Sequence, residues 1–215
     1  MTSSLSRLLL MLILTGWLLP GCMRIGQRPP AKTSYVITAN RPASAAERVG
    51  AAVLQVTPMR ISPRFNGRSF VYRQGISQFR PDFYNKFLVA PANLVQEQVV
   101  RWLTASGLFA TVSSSAGPLP PDYLLQGQIT ELYGDYRDRQ PVAILEIGFL
   151  FLQHAAADAP IRLNRSYRGE VPLTGHEPDA LVEAWDTALI NILENLEKDL
   201  GEVMDGIDAT YHQAL

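Results

Sequence analysis

Apolar and polar residues alternate in short segments along much of the chain, which is the pattern of strands. Residues 49–56 form an apolar run that ends before a proline and predicts a buried strand. Residues 69–72 and 76–79 have mixed polarity and flank the turn-forming residues 73–75, so they predict two paired strands. This half of the chain therefore contributes strands to a sheet.

Two segments instead carry apolar residues at the three-to-four spacing of an amphipathic helix. The first opens at Pro91, which favours a first helical turn, and stops before Gly107. The second begins near Pro178 and has a longer apolar stripe, which we interpret as core. The stripe comprises Leu181, Trp185, Ala188, Leu189, Ile192, Leu193, Leu196, Leu200, Val203 and Ile207.

Between the helices, after a short strand at residues 108–112, three further strands are predicted. Residues 123–133 alternate, residues 142–152 are almost wholly apolar, and a third strand follows from residue 161. In the first of them one face is predicted to carry Tyr123, Leu125, Ile129 and Tyr133. The order of elements predicts an α+β two-layer sandwich: a mostly antiparallel sheet with an internal helix and a long C-terminal helix on one face.

Residues 1–21 predict a signal peptide. Arg7 precedes an uncharged run at residues 8–20, which is shorter than the roughly 20 residues that span a bilayer as a helix. The run ends in Leu19-Pro20-Gly21-Cys22, which resembles a bacterial lipobox. We expect cleavage before Cys22, the one cysteine of the chain, and acylation of its thiol. The alternative is an uncleaved signal anchor with an incidental cysteine.

Residues 22–34 predict a short lipidated tether, because they are basic, proline-rich and without periodicity. About ten flexible residues reach roughly 15 to 20 Å, so the domain stays close to its membrane. Met23 stands where the familiar inner-membrane retention signal has Asp, which favours the outer membrane over the inner membrane, with the domain facing the periplasm. A single domain is expected at residues 35–208, followed by a tail at residues 209–215.

Composition excludes several classes of protein. With 47% apolar and 18% charged residues among 215, the chain is unlike collagen, coiled coils and wholly disordered proteins. A net charge of −1 argues against a nucleic-acid binder, whose surface would be basic. A single cysteine cannot form a disulfide within the chain.

The sequence also lacks the motifs of common catalytic and cofactor sites. It contains no HExxH, GxSxG, Walker or GxGxxG motif, and His154, His176 and His212 have no partner at metal-ligand spacing. Asp135 and Asp138 fall at a predicted turn, where solvated carboxylates are the simpler interpretation. We therefore expect no enzymatic activity, no bound metal and no cofactor.

Charge is unevenly distributed along the chain. Six arginines and no acidic residue occur between Arg48 and Arg80, whereas ten acidic residues and one lysine occur between Glu177 and Asp208. For any one of these charged residues, the simpler interpretation is that it solvates an exposed surface. Taken together, the arginines predict an interaction surface for a protein or a lipid headgroup, with the candidates Arg60, Arg64, Arg68 and Arg73. If the basic and acidic surfaces lie on different sides, copies of the chain can join head to tail into a homo-oligomeric ring.

A set of short segments recurs in the order of the predicted elements. They are Tyr35-Val36-Ile37, Val56-Thr57-Pro58, Phe70-Val71-Tyr72-Arg73, Pro91 and the D-Y-x-L-x-G-x-I stretch at residues 122–129. Together they resemble the auxiliary lipoproteins of ABC-type intermembrane transport systems, the group that includes the paraquat-inducible lipoprotein, over roughly residues 35 to 200. The resemblance implies a periplasm-facing lipoprotein that works with an MCE-domain protein and an ABC permease and ATPase, and that assists lipid movement between membranes as a non-catalytic docking component.

Two other functions stay open at this point. An outer-membrane regulator of an envelope enzyme, such as a peptidoglycan synthase, would call for a long disordered tether, so the tether of about ten residues favours transport. A direct lipid-binding shuttle would need a sizeable apolar cavity, which one sequence does not distinguish from a packed core.

Overall fold

Nine strands form one mixed sheet in this computed structural model, which describes residues 31–42, 50–115, 120–154 and 160–213. The strands are β1 (Thr33–Tyr35), β2 (Val53–Val56), β3 (Arg60–Ile61), β4 (Ser69–Arg73), β5 (Phe79–Phe87), β6 (Thr111–Ser113), β7 (Tyr123–Asp135), β8 (Val142–Gln153) and β9 (Ile161–Pro172). The helices are α1 (Pro91–Ser106) and α2 (Pro178–Gln213), with a short 3-10 helix at Pro63–Phe65. From Lys32 onwards these residues belong to one compact unit. The predicted α+β class is confirmed.

The three long strands β7, β8 and β9 form an antiparallel meander, as predicted. Pairing of β7 with β8 runs from Tyr123 opposite Gln153 to Asp135 opposite Val142. Pairing of β8 with β9 covers nearly the whole of both strands. Since β8 lies between two long neighbours, its almost continuous apolar sequence is that of a central strand.

Three short strands share the other edge of β7 in succession. β2 pairs with the start of β7, β3 with its middle and β4 with its end, all in parallel. From β2 the sheet continues to β6, and from β4 it continues to β5 and then β1. The sheet therefore divides into two branches beyond β7.

The second strand of the pair predicted at residues 76–79 lies further along the chain than expected. β5 begins at Phe79 and extends to Phe87. The sequence did not indicate this strand because it contains Pro81, Asp82 and Asn85, residues that usually favour turns. Pro81 is tolerated since β1 pairs only with the last three residues of β5, which leaves that edge open beside the proline.

Both helices pack on the same face of the sheet. α1 ends at Gly107, which adopts φ 74°, a left-handed conformation that favours glycine at a helix end. α2 approaches β9 so closely that a Cβ on Gly169 would lie 2.7 Å from the Cβ of Ala188. Trp185 is fully buried and its ring lies edge-on to Phe70, 5.1 Å between centroids. Eight of the ten predicted stripe residues of α2, from Leu181 to Leu200, are buried, and Val203 and Ile207 pack against this core.

The prediction that Tyr133 shares a face with Tyr123, Leu125 and Ile129 is wrong. A register shift between Ile129 and Glu131 interrupts the alternation of β7, so the residues after it exchange faces. Leu132 takes the position facing the core, opposite Leu145. The ring of Tyr133 turns to the other face of the sheet.

Candidate functional site

The face of the sheet that the helices leave open carries a shallow groove of about 260 Å³. Residues on it alternate with core residues along β7, β8 and β9, since neighbours on a strand point to opposite faces. Amide and hydroxyl groups predominate in the groove. Its polar members are Arg60, Gln126, Gln128, Thr130, Asn164 and Ser166. This open face therefore presents a row of hydrogen-bonding groups at the surface.

An ion-pair network lies further along the same face, around Arg168. The guanidinium contacts Glu131 and lies 3.1 Å from Glu146 and 3.7 Å from Glu170. The hydroxyl of Thr130 donates a hydrogen bond to Glu146, 2.9 Å away. One arginine thus faces three glutamates, and this part of the open face is acidic. Partly exposed pairs of this kind contribute little to stability.

A small aromatic cluster covers the open face near the end of β7. The ring of Tyr133 stacks on Phe65, 5.8 Å between centroids, and meets Phe79 edge-on at 5.4 Å. The guanidinium of Arg64, one of the predicted surface arginines, lies over the rings of Phe65 and Phe79 at 5.4 and 5.9 Å. Arg64 is exposed, and so is Arg60, which lines the groove.

The other two predicted arginines bind within the chain. Arg73 donates to the carbonyl of Ile76 (2.9 Å) and to the Tyr133 hydroxyl, and lies 3.8 Å from Asp135. Arg68 is exposed, and its Nε donates to the carbonyl of Phe87 (3.0 Å). Arg73 therefore holds the β4–β5 turn in place, whereas Arg60 and Arg64 keep their guanidinium groups on the surface.

Asp135 differs from the solvated carboxylate that the sequence suggested. It ends β7, is only 7% exposed and forms a 2.6 Å ion pair with Arg137. The hydrogen bonds from Arg137 outweigh burial and lower the pKa of the Asp135 carboxyl. Asp138 lies in the exposed turn between β7 and β8 and is solvated, as expected.

Part of the acidic charge of α2 is used inside the domain. Asp186 accepts hydrogen bonds from the backbone N–H and the hydroxyl of Thr38, both at 2.8 Å. Burial raises the pKa of this carboxyl, and the two hydrogen bonds oppose the rise. Glu197 binds the guanidinium of Arg41 at 2.8 Å and accepts the indole N–H of Trp102 at 2.7 Å. These contacts fasten the segment after β1 and helix α1 to α2.

A third internal carboxylate lies between α2 and β9. Asp199 accepts hydrogen bonds from the hydroxyl of Tyr167 (2.5 Å) and from Arg165 (2.6 Å). Burial would raise the pKa of Asp199, but these hydrogen bonds outweigh it and lower the pKa. Other acidic side chains of α2 are exposed on the side away from the sheet: Glu183, Glu194 and Glu202.

A second groove, of about 480 Å³, lies between the two helices and residues 41–42. Six of its ten lining residues are charged, among them Arg41, Glu197 and Lys198, and Trp102 supplies an aromatic edge. The lining thus combines charged groups with the apolar surface of Trp102, Pro42 and Leu108.

His154 and His176 lie far apart. His154 follows β8, whereas His176 follows Leu173, whose N–H donates to Pro141 before the start of β8. The length of β8 therefore separates them, roughly 35 to 40 Å at 3.3 Å per residue. Within the described ranges, no group of three or more His, Cys, Asp or Glu side chains is placed to hold a metal ion.

Cys22, the predicted lipidation residue, lies outside the described residues, as does the predicted signal peptide. The predicted tether overlaps the described part at residues 31–34, where Thr33 already begins β1. Among the described residues, no helix is long and apolar enough to cross a membrane.

The D-Y-x-L-x-G-x-I stretch has a structural role. The Asp122 carboxylate accepts the backbone N–H of Val53 at 2.8 Å, which joins β2 to the start of β7. Leu125 and Ile129 are fully buried, and a Cβ on Gly127 would lie 2.6 Å from Met59. The motif thus marks the branch point of the sheet and not a reaction site.

The family model for ABC-type transport auxiliary lipoprotein components matches residues 35–196, which include all of β2 to β9, α1 and the part of α2 up to Leu196. The chain belongs to this family. An auxiliary lipoprotein of this family is a component of an ABC-type transport system. No curated protein gives a significant match to the chain.

Solved structures share the fold of this auxiliary lipoprotein. A crystal structure of protein XCC0632 from Xanthomonas campestris, assigned to family DUF330, has a TM-score of 0.66 and 18% identity, covering 84% of this chain and 98% of that one. The hypothetical protein CT253 from Chlamydia trachomatis has a TM-score of 0.51 and 9% identity, covering 70% and 98%. At these identities the likeness concerns the fold alone.

Sequence reasoning missed the carboxylates that organise the auxiliary lipoprotein internally. Asp186 and Glu197 appeared only as part of an acidic run, although both lie beside the buried stripe of α2. Their spacing along the helix, next to Trp185 and Leu196, was the available signal, because a carboxylate at the margin of a core needs a hydrogen-bond donor.

Proposed function

We propose that the auxiliary lipoprotein is a non-catalytic docking component of an MCE/ABC-type intermembrane lipid-transport system, anchored by acylated Cys22 in the outer membrane with its domain facing the periplasm. The family match over residues 35–196 carries the proposal. The lipobox and the short tether support it from the sequence.

The chemistry of the described surface also supports a docking role. The open groove is lined by amides and hydroxyls, and the groove beside α2 is lined mainly by charged groups. Polar and charged groups thus line both grooves, and the proposal assigns lipid passage to the partners. The lipoprotein supplies attachment and contact surface.

Anchoring is tested by the variant Cys22→Ala in full-length protein expressed in cells. Without the thiol no diacylglyceryl thioether forms, so we expect an unprocessed precursor or a domain released from the outer membrane. Membrane fractionation and intact mass of the purified protein provide the readout. A variant that is still processed and still fractionates with the outer membrane contradicts the assignment.

The partner is tested by crosslinking the full-length lipoprotein in intact cells and identifying what it captures. We expect an MCE-domain protein among the adducts, with the permease and ATPase recovered through it. Repeated capture of a peptidoglycan synthase without an MCE-domain protein would favour the alternative, an envelope-enzyme regulator.

Self-association follows from the distribution of charge. Arg60 and Arg64 are exposed on the open side of the sheet, whereas Glu183, Glu194 and Glu202 are exposed on the helical side. The part of the open face that carries Arg60 and Arg64, as distinct from the acidic part around Arg168, can meet the exposed glutamates of α2 in another copy. Such a heterologous contact closes into a ring when the rotation permits. A ring would suit docking on a ring-shaped or tubular partner.

Light scattering on the mature chain with Cys22→Ser tests this assembly. We expect oligomers at tens of micromolar protein that dissociate when salt is raised from about 0.05 to 0.5 M, because the screening length falls from roughly 14 to 4 Å. Arg60→Glu with Arg64→Glu should shift the mass towards monomer and leave the melting temperature within about 2 °C. A monomer under all conditions contradicts the ring.

A further inference from the structure

Two aromatic side chains project from a bulge in β5 with little to cover them. Phe83 is 70% exposed and Tyr84 is 37% exposed, and their rings meet edge-on at 5.1 Å. Between the pairs Ser69 with Lys86 and Val71 with Pro81, β5 has more residues than β4. The extra residues form this bulge.

The carboxylate of Asp82 fixes the shape of the bulge. It accepts the backbone N–H groups of Tyr84 (2.7 Å) and Asn85 (3.0 Å), the Asn85 amide (2.8 Å) and the Tyr72 hydroxyl (2.7 Å). Burial would raise the pKa of Asp82, but these hydrogen bonds outweigh it and lower the pKa. The exposed rings are therefore held by a rigid support rather than carried on a loose loop.

Further exposed apolar residues lie along the same branch of the sheet. Leu88 and Val89 follow β5 and are 53% and 43% exposed. Val36 follows β1 and is 43% exposed. The N–H of Leu88 donates to the carbonyl of Tyr35, the residue before Val36, so these segments are neighbours. The bulge surface, defined as Val36, Phe83, Tyr84, Leu88 and Val89, contains five of the seven large apolar residues that are exposed in the described part of the chain. One branch of the sheet thus carries most of the large apolar side chains that are exposed among the described residues.

The bulge surface lies at the point where the tether enters the domain. The ammonium group of Lys32 is 4.3 Å from the centroid of the Phe83 ring. Lys32 is only ten residues from Cys22, a separation of roughly 17 to 20 Å for a flexible chain. By chain length alone, an acylated Cys22 would keep Lys32 and the ring beneath it within about this average distance of the membrane.

We propose that the bulge surface rests in the headgroup layer of the membrane that holds Cys22, and so orients the domain on that membrane. The inference builds on the proposed acylation of Cys22. Phenylalanine and tyrosine combine an apolar body with, in tyrosine, a polar hydroxyl, and aromatic residues favour the membrane–water interface. Lys32 lies over the Phe83 ring and Lys86 follows the bulge in β5, and lysines suit anionic headgroups.

The position of Phe83 beside the tether favours the membrane over a protein partner. Ile76 provides the comparison. Ile76, the most exposed of the large apolar residues at 84%, lies in the β4–β5 turn, eight residues before the bulge dipeptide ends at Tyr84. It has neither an aromatic neighbour pair nor the tether beside it. Ile76 therefore provides a matched control: equally apolar, more exposed and at the opposite end of β5.

The test places a fluorophore at position 83 or position 76 of the acylated lipoprotein, produced by processing of the full-length precursor. Acylation consumes the Cys22 thiol, so a nitrobenzoxadiazole label reacts only with the introduced cysteine in Phe83→Cys or Ile76→Cys. Both proteins are reconstituted into phosphatidylethanolamine–phosphatidylglycerol vesicles, with and without lipids brominated on the acyl chain. We expect quenching at position 83 to exceed that at position 76 about threefold or more.

The outcomes separate the two proposals. A chain that does not float with vesicles contradicts acylation of Cys22. The bulge surface is then tested by a second experiment, on the chain without acyl groups. A chain that floats, but is quenched equally weakly at both positions, overturns the inference. Crosslinking of position 83 to a protein in cells, with no quenching in pure lipid, also overturns it in favour of a protein partner.

The second experiment uses the mature chain with Cys22→Ser and vesicles of the same composition. Without acyl chains, residual binding depends on the bulge surface, so Phe83→Ser with Tyr84→Ser should weaken co-sedimentation about tenfold. Ile76→Ser should leave it unchanged. Because the substituted rings are exposed, circular dichroism of the variants should match that of the parent, and equal binding by all three proteins contradicts the proposal.

Discussion

Neighbouring residues of β9 point to opposite faces of one sheet and face very different surroundings. Tyr167 and Gly169 face α2, where Gly169 touches the backbone of Ala188. Ser166 and Arg168 face the open side, among the groove and the ion-pair network. On the helix-covered face nearly every position is filled by apolar side chains, whereas the open face keeps polar groups in contact with water.

The covered face mainly determines the stability of the fold, whereas the open face presents groups that can contact other molecules. Burial of apolar area under α1 and α2 provides the driving force for folding, so substitutions there should destabilise strongly. The groove and the ion-pair network of the open face lose little when their side chains change, because exposed hydrogen bonds and ion pairs exchange with water. The buried cluster around Tyr133 is the exception on that face. A docking protein can therefore vary one face for its partner while the other maintains the fold.

Paired leucine substitutions should give the largest contrast. Leu193 is fully buried under α2, while Leu150 is half-buried on the open face. Leu193→Ala should lower the free energy of unfolding by about 2–5 kcal/mol, because it removes buried methyl groups and leaves a cavity. Leu150→Ala should cost less than about 1 kcal/mol. Urea denaturation measures both, and equal losses would break the distinction between the faces.

Paired glycine substitutions should give a smaller contrast of the same sign. A Cβ at Gly169 would meet the Cα and carbonyl oxygen of Ala188 at 3.0 Å, so Gly169→Ala should push α2 away at a cost of about 1–3 kcal/mol. At Gly148 the first contact is the Ser166 hydroxyl at 3.2 Å, which can turn aside. Thermal melts of both variants provide the check. A loss at Gly148→Ala that matches Gly169→Ala would mean that the open face is packed as tightly as the covered one.

Acid should act through Asp199 on the covered face. Its folded-state pKa is lowered, so its stabilising contribution is present above the ordinary aspartate pKa of about 3.9 and is lost as pH falls through the folded value. Asp199→Asn should therefore cost about 1 kcal/mol near pH 7, and this cost should shrink progressively as the pH falls below the ordinary aspartate value. Denaturant midpoints across this pH range test the prediction. A difference that does not change with pH would place the loss in packing rather than in ionisation.

The helices and the long meander could be predicted because their signals are local. The apolar spacing from Leu181 to Leu200 and the Pro91 to Gly107 limits are properties of short segments. The face of Tyr133 could not, since it depends on the register shift between β7 and β8. The extent of β5 could not, since the strand runs through residues that usually favour turns. The same holds for the surface arginines: Arg73 is engaged because β7 brings Asp135 and Tyr133 beside it.

The central claim, that the open face makes the contacts of the assembled system, is tested most directly by photo-crosslinking in intact cells. A photoreactive amino acid replaces Gln128, exposed on the open face, or Asn93, exposed on α1. The account predicts adducts of an MCE-domain protein from position 128 and none of that protein from position 93. Adducts from position 93 together with none from position 128 would contradict it.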